Sequence, residues 1–341
     1  MLLSQRPFCV LARLKQDAVK LNLRGVNIPP RIRTATQFWA MVAACILLGC
    51  QAATAQELDE TPEVQREKRR GSISFDNKPG DFKFSTFDDE KGVVLFRARL
   101  EGQDIWAMID TGSDYSVVSE RLVQELGLEK DQSEVSIDTI SSSQNSSHIR
   151  DLNFEHIGQY SMVRDFYSFD LSGISKALGR QVDALIGYDL LRQILFVVDS
   201  KNKRILMSIS GMITPEDGRY RAISLDGGVF EGTLNGVDTR FAVDLGSNGQ
   251  ISLHEKVWDR IFGDEPTISR GNATDGSGTV RETRGIDNVQ FEAFGATASV
   301  FVKKIPGENA NFDAFVGYSM FYGRVAIFDY PKNVIYIEKE P

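Results

Sequence analysis

Ala107-Met108-Ile109-Asp110-Thr111-Gly112-Ser113-Asp114 is the stretch on which the fold turns. An apolar run ends there in a carboxylate, a hydroxyl and a glycine, the pattern of a buried strand delivering an acid into a tight turn. The glycine lets backbone N–H groups approach the carboxylate closely. A buried acid is costly unless such bonds or a partner compensate it, so the position needs a reason. A second, altered copy stands at Phe241-Ala242-Val243-Asp244-Leu245-Gly246-Ser247.

The two copies anchor a longer repeat. Phe96 lies 14 residues before Asp110, and Phe230 lies 14 before Asp244. Between them, Leu100-Glu101-Gly102 matches Leu234-Asn235-Gly236. Further on, Asp183-Ala184-Leu185-Ile186-Gly187-Tyr188 matches Asp313-Ala314-Phe315-Val316-Gly317-Tyr318. Twelve residues after each of those glycines come Asp199 and Asp329. The Asp-to-Gly separations are 77 and 73 residues. Anchors in one order at nearly one spacing mark a duplicated lobe, expected over 73–209 and 219–341 with a Gly- and Pro-containing linker at 210–218. Short apolar segments bounded by Gly, Asp, Asn and Ser predict a strand-rich body. Helices are expected at Ser119–Gly127, with Leu122, Val123 and Leu126 at helical spacing, and at Leu171–Leu178.

With these motifs each lobe resembles that of a retropepsin-like aspartic protease, over residues ~90–339. The shared features are a strand, an Asp-Thr/Ser-Gly loop, a flap hairpin, and an apolar-apolar-Gly strand crossing beneath the loop. The resemblance implies a mostly β, bilobal acid-protease fold: two β-barrel-like lobes related by a pseudo-two-fold axis, with an active-site cleft between them. It implies Asp110 and Asp244 as a catalytic dyad. Two close carboxylates share one proton, and the charged one acts as base on a water. By the same resemblance Thr111, Gly112, Ser113, Asp114, Gly246 and Ser247 form the loops that hold the dyad and meet substrate, while Gly187 and Gly317 pack beneath. It implies a peptide or protein substrate, no cofactor and no metal. A tandem repeat suits a monomer that builds the whole site.

The second copy departs from the family pattern at Leu245. The family's Thr or Ser there bonds across to the opposite loop, which leucine cannot do. Half of that brace, from Thr111, is expected to remain, and Asp244 is either a working partner or an acid that only caps its own loop. Asn248 replaces the counterpart of Asp114. The polar, turn-rich segments Thr139–Ser147 and Asn272–Gly278 read as flaps over the cleft or as ordinary surface hairpins. Other hydrolytic chemistries lack their motifs. The three histidines, His148, His156 and His254, are scattered. Gly173-Ile174-Ser175-Lys176-Ala177 is the nearest approach to a nucleophile elbow and falls in an expected helix.

Composition fits this reading. The chain has 341 residues, 42% hydrophobic and 25% charged, and a net charge of −8. Residues 1–55 are basic (Arg6, Arg13, Lys15, Lys20, Arg24, Arg31 and Arg33 against Asp17), so the remainder is more acidic than the whole. That argues against nucleic acid as a partner. Arg31 and Arg33, the apolar run Phe38–Gly49 and the small residues Ala53-Thr54-Ala55 predict an export leader over 1–55, and hence a periplasmic or secreted protein. Alternatively, Leu47-Leu48-Gly49-Cys50 reads as a lipoprotein signal, with a lipid at Cys50 as the one membrane attachment. A charged, apolar-poor tether is expected over 56–72. All three cysteines (Cys9, Cys45, Cys50) lie in the leader, leaving the body no disulfide or Cys metal site.

Overall fold

A computed structural model describes residues 71–339 except 79, 132–133, 139–142, 217, 277 and 308. The leader, all but the last two tether residues, and the tip of the first expected flap lie outside the described residues. The first half runs β1 (Ile73–Phe75), β2 (Ser85–Asp88), β3 (Leu95–Leu100), β4 (Gln103–Ile109), β5 (Val117–Ser119), α1 (Glu120–Glu125), β6 (Glu134–Asp138), β7 (Ser143–His156), β8 (Tyr160–Phe169), α2 (Ser172–Leu178), β9 (Ala184–Ile186), α3 (Tyr188–Leu191), β10 (Leu195–Asp199) and β11 (Arg204–Ser208). The second runs β12 (Tyr220–Ser224), β13 (Val229–Leu234), β14 (Val237–Asp244), β15 (Ile251–His254), α4 (Glu255–Ile261), β16 (Ile268–Thr274), β17 (Val280–Ala293), β18 (Ala296–Ile305), β19 (Ala314–Gly317), β20 (Val325–Asp329) and β21 (Val334–Glu338).

Strand pairing closes each half into a six-stranded mixed barrel. In the first the circuit is β3-β4-β9-β5-β8-β7 and back to β3; in the second it is β13-β14-β19-β15-β18-β17 and back to β13. The fold is therefore the mostly β, two-barrel architecture that the resemblance implied. In each barrel the Asp-bearing strand runs parallel to the strand that ends at the anchor glycine: Ile109 pairs with Ile186, and Asp244 with Gly317. Closure removes the edges of both barrels.

The repeat reaches down to single turns. Glu101 and Gly102 both have positive φ (49° and 80°), as do Asn235 and Gly236 (49° and 75°). That is the two-residue hairpin turn whose twist matches its flanking strands. Each non-glycine turn residue is tied down alike. The Glu101 carboxylate accepts from the Asn153 N–H at 2.7 Å, and the Asn235 side-chain oxygen accepts from the Gln290 N–H at 3.0 Å. These bonds offset the cost of left-handed backbone at a residue with a Cβ.

Between the barrels lies a six-stranded antiparallel sheet, β12-β21-β20-β10-β11-β2, three strands from each half. Its central ladder pairs Leu195 with Asp329 and Asp199 with Val325, placing Val197 opposite Ile327 at the midpoint. Exchanging the halves maps this ladder onto itself, so the pseudo-two-fold axis passes through the Val197–Ile327 pair. Phe196 stacks on Phe328 across it, ring centroids 4.6 Å apart. The two repeat acids that close the lobes are structural. Asp199 takes Asn202 and Arg204, and Asp329 takes the Ser210 hydroxyl and the Gly211 N–H. One hydrophobic core runs through both barrels.

The expected helices form slightly shorter than their patterns. Ser119 caps α1 by accepting from the Leu122 N–H, and Leu122 and Val123 are buried. Left-handed Gly179 ends α2, as glycine does at a helix C-terminus.

Candidate active site

Strands β4 and β14 carry Asp110 and Asp244 to the floor of the cleft, and the loops that follow fold back on them. One oxygen of Asp110 accepts from the N–H groups of Gly112 and Ser113, both at 3.1 Å. One oxygen of Asp244 accepts from the Gly246 N–H at 3.0 Å. Each acid lies against the other lobe's glycine. A Cβ on Gly246 would sit 2.5 Å from the Asp110 carboxyl carbon, and one on Gly112 would sit 2.5 Å from an Asp244 oxygen. Glycine stands at both places because no side chain fits there. The two carboxyl groups lie close enough to influence each other's charge directly.

Charge follows from this crowding. Burial first, and the Asp244 carboxylate second, push the Asp110 carboxyl up to about 7, against the pull of its loop N–H groups. Burial raises Asp244 too, but there the Lys303 ammonium opposes first, followed by the N–H groups of Gly246 and Ser247. The pair therefore holds a proton well above the ordinary carboxylate range. The two acids titrate as one unit, and the Lys303 ammonium favours the charged form on the Asp244 side.

Beneath the dyad the lobes are braced from one side. The Thr111 hydroxyl donates to the Val243 carbonyl at 2.7 Å and accepts from the Leu245 N–H at 2.9 Å. Leu245 is fully buried in the common core and contributes apolar contact in place of the reciprocal bonds. Gly187 and Gly317 lie under the loops. A Cβ on Gly187 would meet the Tyr115 backbone at 2.5 Å, and one on Gly317 the Gly249 carbonyl at 2.1 Å. The Tyr188 and Tyr318 N–H groups donate to the Ser113 and Ser247 carbonyls, both at 2.8 Å.

Above the dyad is a cavity of about 390 Å³ lined by Asp110, Gly112, Ser113, Asp244, Gly246 and Ser247 together with residues of both lobes. Asp114, proposed from the sequence as a substrate contact, is exposed and outside this lining. Asn248 instead joins the lobes, its amide donating to the Lys91 carbonyl at 3.3 Å. The hairpin of β16 and β17 overhangs the cavity through Asn272–Gly276, and the tip residue Gly278 packs against Gly173 at the start of α2. On the first-lobe side Ile137 of β6 reaches the cavity, while Thr139–Ser142 lie outside the described residues.

Sequence reasoning passed over Lys303 and Lys91, both on the cavity wall. No local sequence signal marks Lys303; the strand ladders bring it there, Ser252 pairing with Lys303 as Val117 pairs with Tyr167.

Residues 96–190 match the family described as Aspartyl protease. Two closed barrels with an aspartate loop in each are the architecture of the retropepsin-like proteases, and the matched segment identifies the first lobe as an aspartyl protease domain. No curated protein matches the chain.

Proposed function

We propose that the protein is an aspartic endopeptidase in which Asp110 and Asp244 share one proton and activate a water. The observation that carries this reading is the mutual seating of the two carboxyls, each against the other lobe's glycine, at the base of a cleft large enough for a peptide. Asp244, held toward its ionised form by Lys303, takes a proton from the attacking water. Asp110 donates its proton to the scissile carbonyl oxygen, giving a tetrahedral diol with no covalent enzyme adduct. Collapse of the diol passes a proton to the leaving nitrogen and breaks the C–N bond. The β16–β17 hairpin excludes bulk water from the dyad. The leader pattern supports export, so the proposed setting is the cell envelope, free or lipid-anchored at Cys50.

Leu245 favours a second reading, peptide binding without hydrolysis, because one of the two cross-lobe braces is missing. The test is the purified full chain on a peptide library from acid to neutral pH, beside Asp110→Asn and Asp244→Asn. Cleavage lost in both variants supports the dyad. Peptide binding with no cleavage at any pH replaces it with the second reading, and loss in Asp110→Asn alone removes Asp244 from the chemistry.

A further inference from the structure

The cleft is two-fold symmetric in backbone and asymmetric in chemistry. Val117 and Leu185 face each other on the first-lobe wall, and the equivalent ladder positions in the second lobe are Ser252 and Phe315. Next along each barrel, Val117 pairs with Tyr167 and Ser252 with Lys303. Tyr167 turns to Tyr115 and His148 and is not part of the cavity wall. Lys303 is part of it, half-buried beside Gly249. Apart from Lys91 and the dyad loop the first-lobe wall is apolar, whereas at the matching ladder positions the second presents a hydroxyl and an ammonium.

The lysine next to it shows what an ordinary cation on this strand does. Lys304 points outward and pairs with Glu255 at 2.9 Å and Asp259 at 3.3 Å. Among the described residues Lys303 has no ion pair within 4.0 Å and no hydrogen bond. The charged groups facing it across the cavity are Asp244 and Asp110, already engaged with each other, Asp275, whose carboxylate accepts from the Thr279 N–H, and Lys91. A half-buried ammonium without a hydrogen-bond partner carries a desolvation cost that an incoming anion would offset. A bond cut at the dyad lies on the two-fold axis, so Ser252 with Lys303 on one lobe and Val117 on the other address opposite sides of it.

We propose that Lys303, with Ser252 beside it, forms a subsite that takes the carboxylate of an Asp or Glu side chain in the substrate, opposite an apolar residue bound by the first lobe. The protein is then a protease for acidic–apolar junctions rather than for apolar stretches. This rests on the dyad reading for the position of the cut, but not for the recognition itself.

The experiment compares peptides that carry Glu or Gln at the acidic position, chosen by scanning positions around the cleavage site. For the wild type kcat/KM should favour Glu by about 10- to 100-fold, the range of one charge-assisted hydrogen bond. Lys303→Met should bring the Glu/Gln ratio to near one, and Lys303→Arg should keep most of it. Absence of acidic preference at any position in the wild type, or its survival in Lys303→Met, overturns the proposal. If the wild type cleaves nothing, the dyad reading has failed separately, and the same peptides are measured by fluorescence anisotropy. A Glu/Gln ratio of affinities that Lys303→Met abolishes then supports the subsite. Equal affinities, or no peptide binding, overturn it.

Discussion

Thr111→Val tests whether one hydroxyl holds both lobes in register. Valine matches threonine in shape, so the substitution opens no cavity and isolates the loss of hydrogen bonds. Two backbone groups lose their partner: the Leu245 N–H and one lone pair of the Val243 carbonyl. Thr111 and Leu245 are both buried, so water does not readily replace the hydroxyl. Each orphaned buried group costs about 1–3 kcal/mol. The carbonyl keeps a second lone pair, which brings the expected total to about 2–4 kcal/mol. For a body of this size that is a fall in Tm of about 4–16 °C. Thr111→Ser keeps the hydroxyl and should lie much nearer the wild type, losing one methyl of packing at about 1 kcal/mol.

The measurement is calorimetry of all three proteins at one pH, followed by kcat/KM on a common peptide. If Thr111→Val melts within 2 °C of Thr111→Ser, the brace does not carry the interface and the register must come from the central sheet alone. Catalysis should fall further than stability predicts, because the same hydroxyl sets the spacing of the dyad. A displacement of ~1 Å can cost on the order of a hundredfold in rate.

Other expectations follow from the same geometry. Gly246→Ala places a Cβ 2.5 Å from the Asp110 carboxyl, and should lower kcat by about a hundredfold or more in steady-state assays. With Asp110 raised from 3.8 to about 7, the folded state binds a proton that the unfolded state releases. The sign is a penalty absent below pH 4 and complete above pH 7, so Asp110→Asn should gain stability over the wild type across that window. The gain is at most ~4 kcal/mol at about 1.4 kcal/mol per pH unit, and denaturant melts at pH 4 and pH 8 measure it. Hydrolysis by the wild type should decline above about pH 7 as the shared proton is lost, read from a pH–rate profile. Lys303→Met should move the acidic limb of that profile upward, since it removes the leading influence that keeps Asp244 ionised. Phe196→Ala should cost about 3–5 kcal/mol by emptying the stack on Phe328 between the lobes, read by urea unfolding.

What could be read from the chain beforehand was what local backbone demands. Gly187 and Gly317 stand where a Cβ would strike the loop above, and Glu101-Gly102 and Asn235-Gly236 stand where both residues need positive φ. Such positions tolerate few residue types, so they recur visibly at fixed spacing. Ser119 before Leu122 and Val123 marked a helix for the same local reason. The six-stranded sheet between the lobes was not legible, because β10 and β20 are apolar strands whose partners lie 130 residues away. Lys303 was hidden likewise: only the parallel ladder with Ser252 brings it to the cleft. Asp114, whose place in the motif suggested substrate contact, is exposed and outside the cavity lining.

The departures from symmetry converge on the second lobe. Leu245 gives up the reciprocal brace, Ser252 replaces a valine, and Lys303 brings a cation toward Asp244. Two identical lobes would leave the shared proton equally at home on either acid. Here the cation lies on one side, and it lowers the cost of charge on Asp244 while Asp110 bears the cost of its neighbour's charge. The cation therefore makes the two sides of the pair electrostatically unequal before substrate arrives. A substrate that brings its own carboxylate to Lys303 would draw on that cation and weaken its hold on Asp244. The subsite and the dyad then compete for one charge. Glu-containing peptides should accordingly show an acidic limb at higher pH than Gln-containing ones, whereas a specificity residue uncoupled from the dyad would leave the two profiles superimposed.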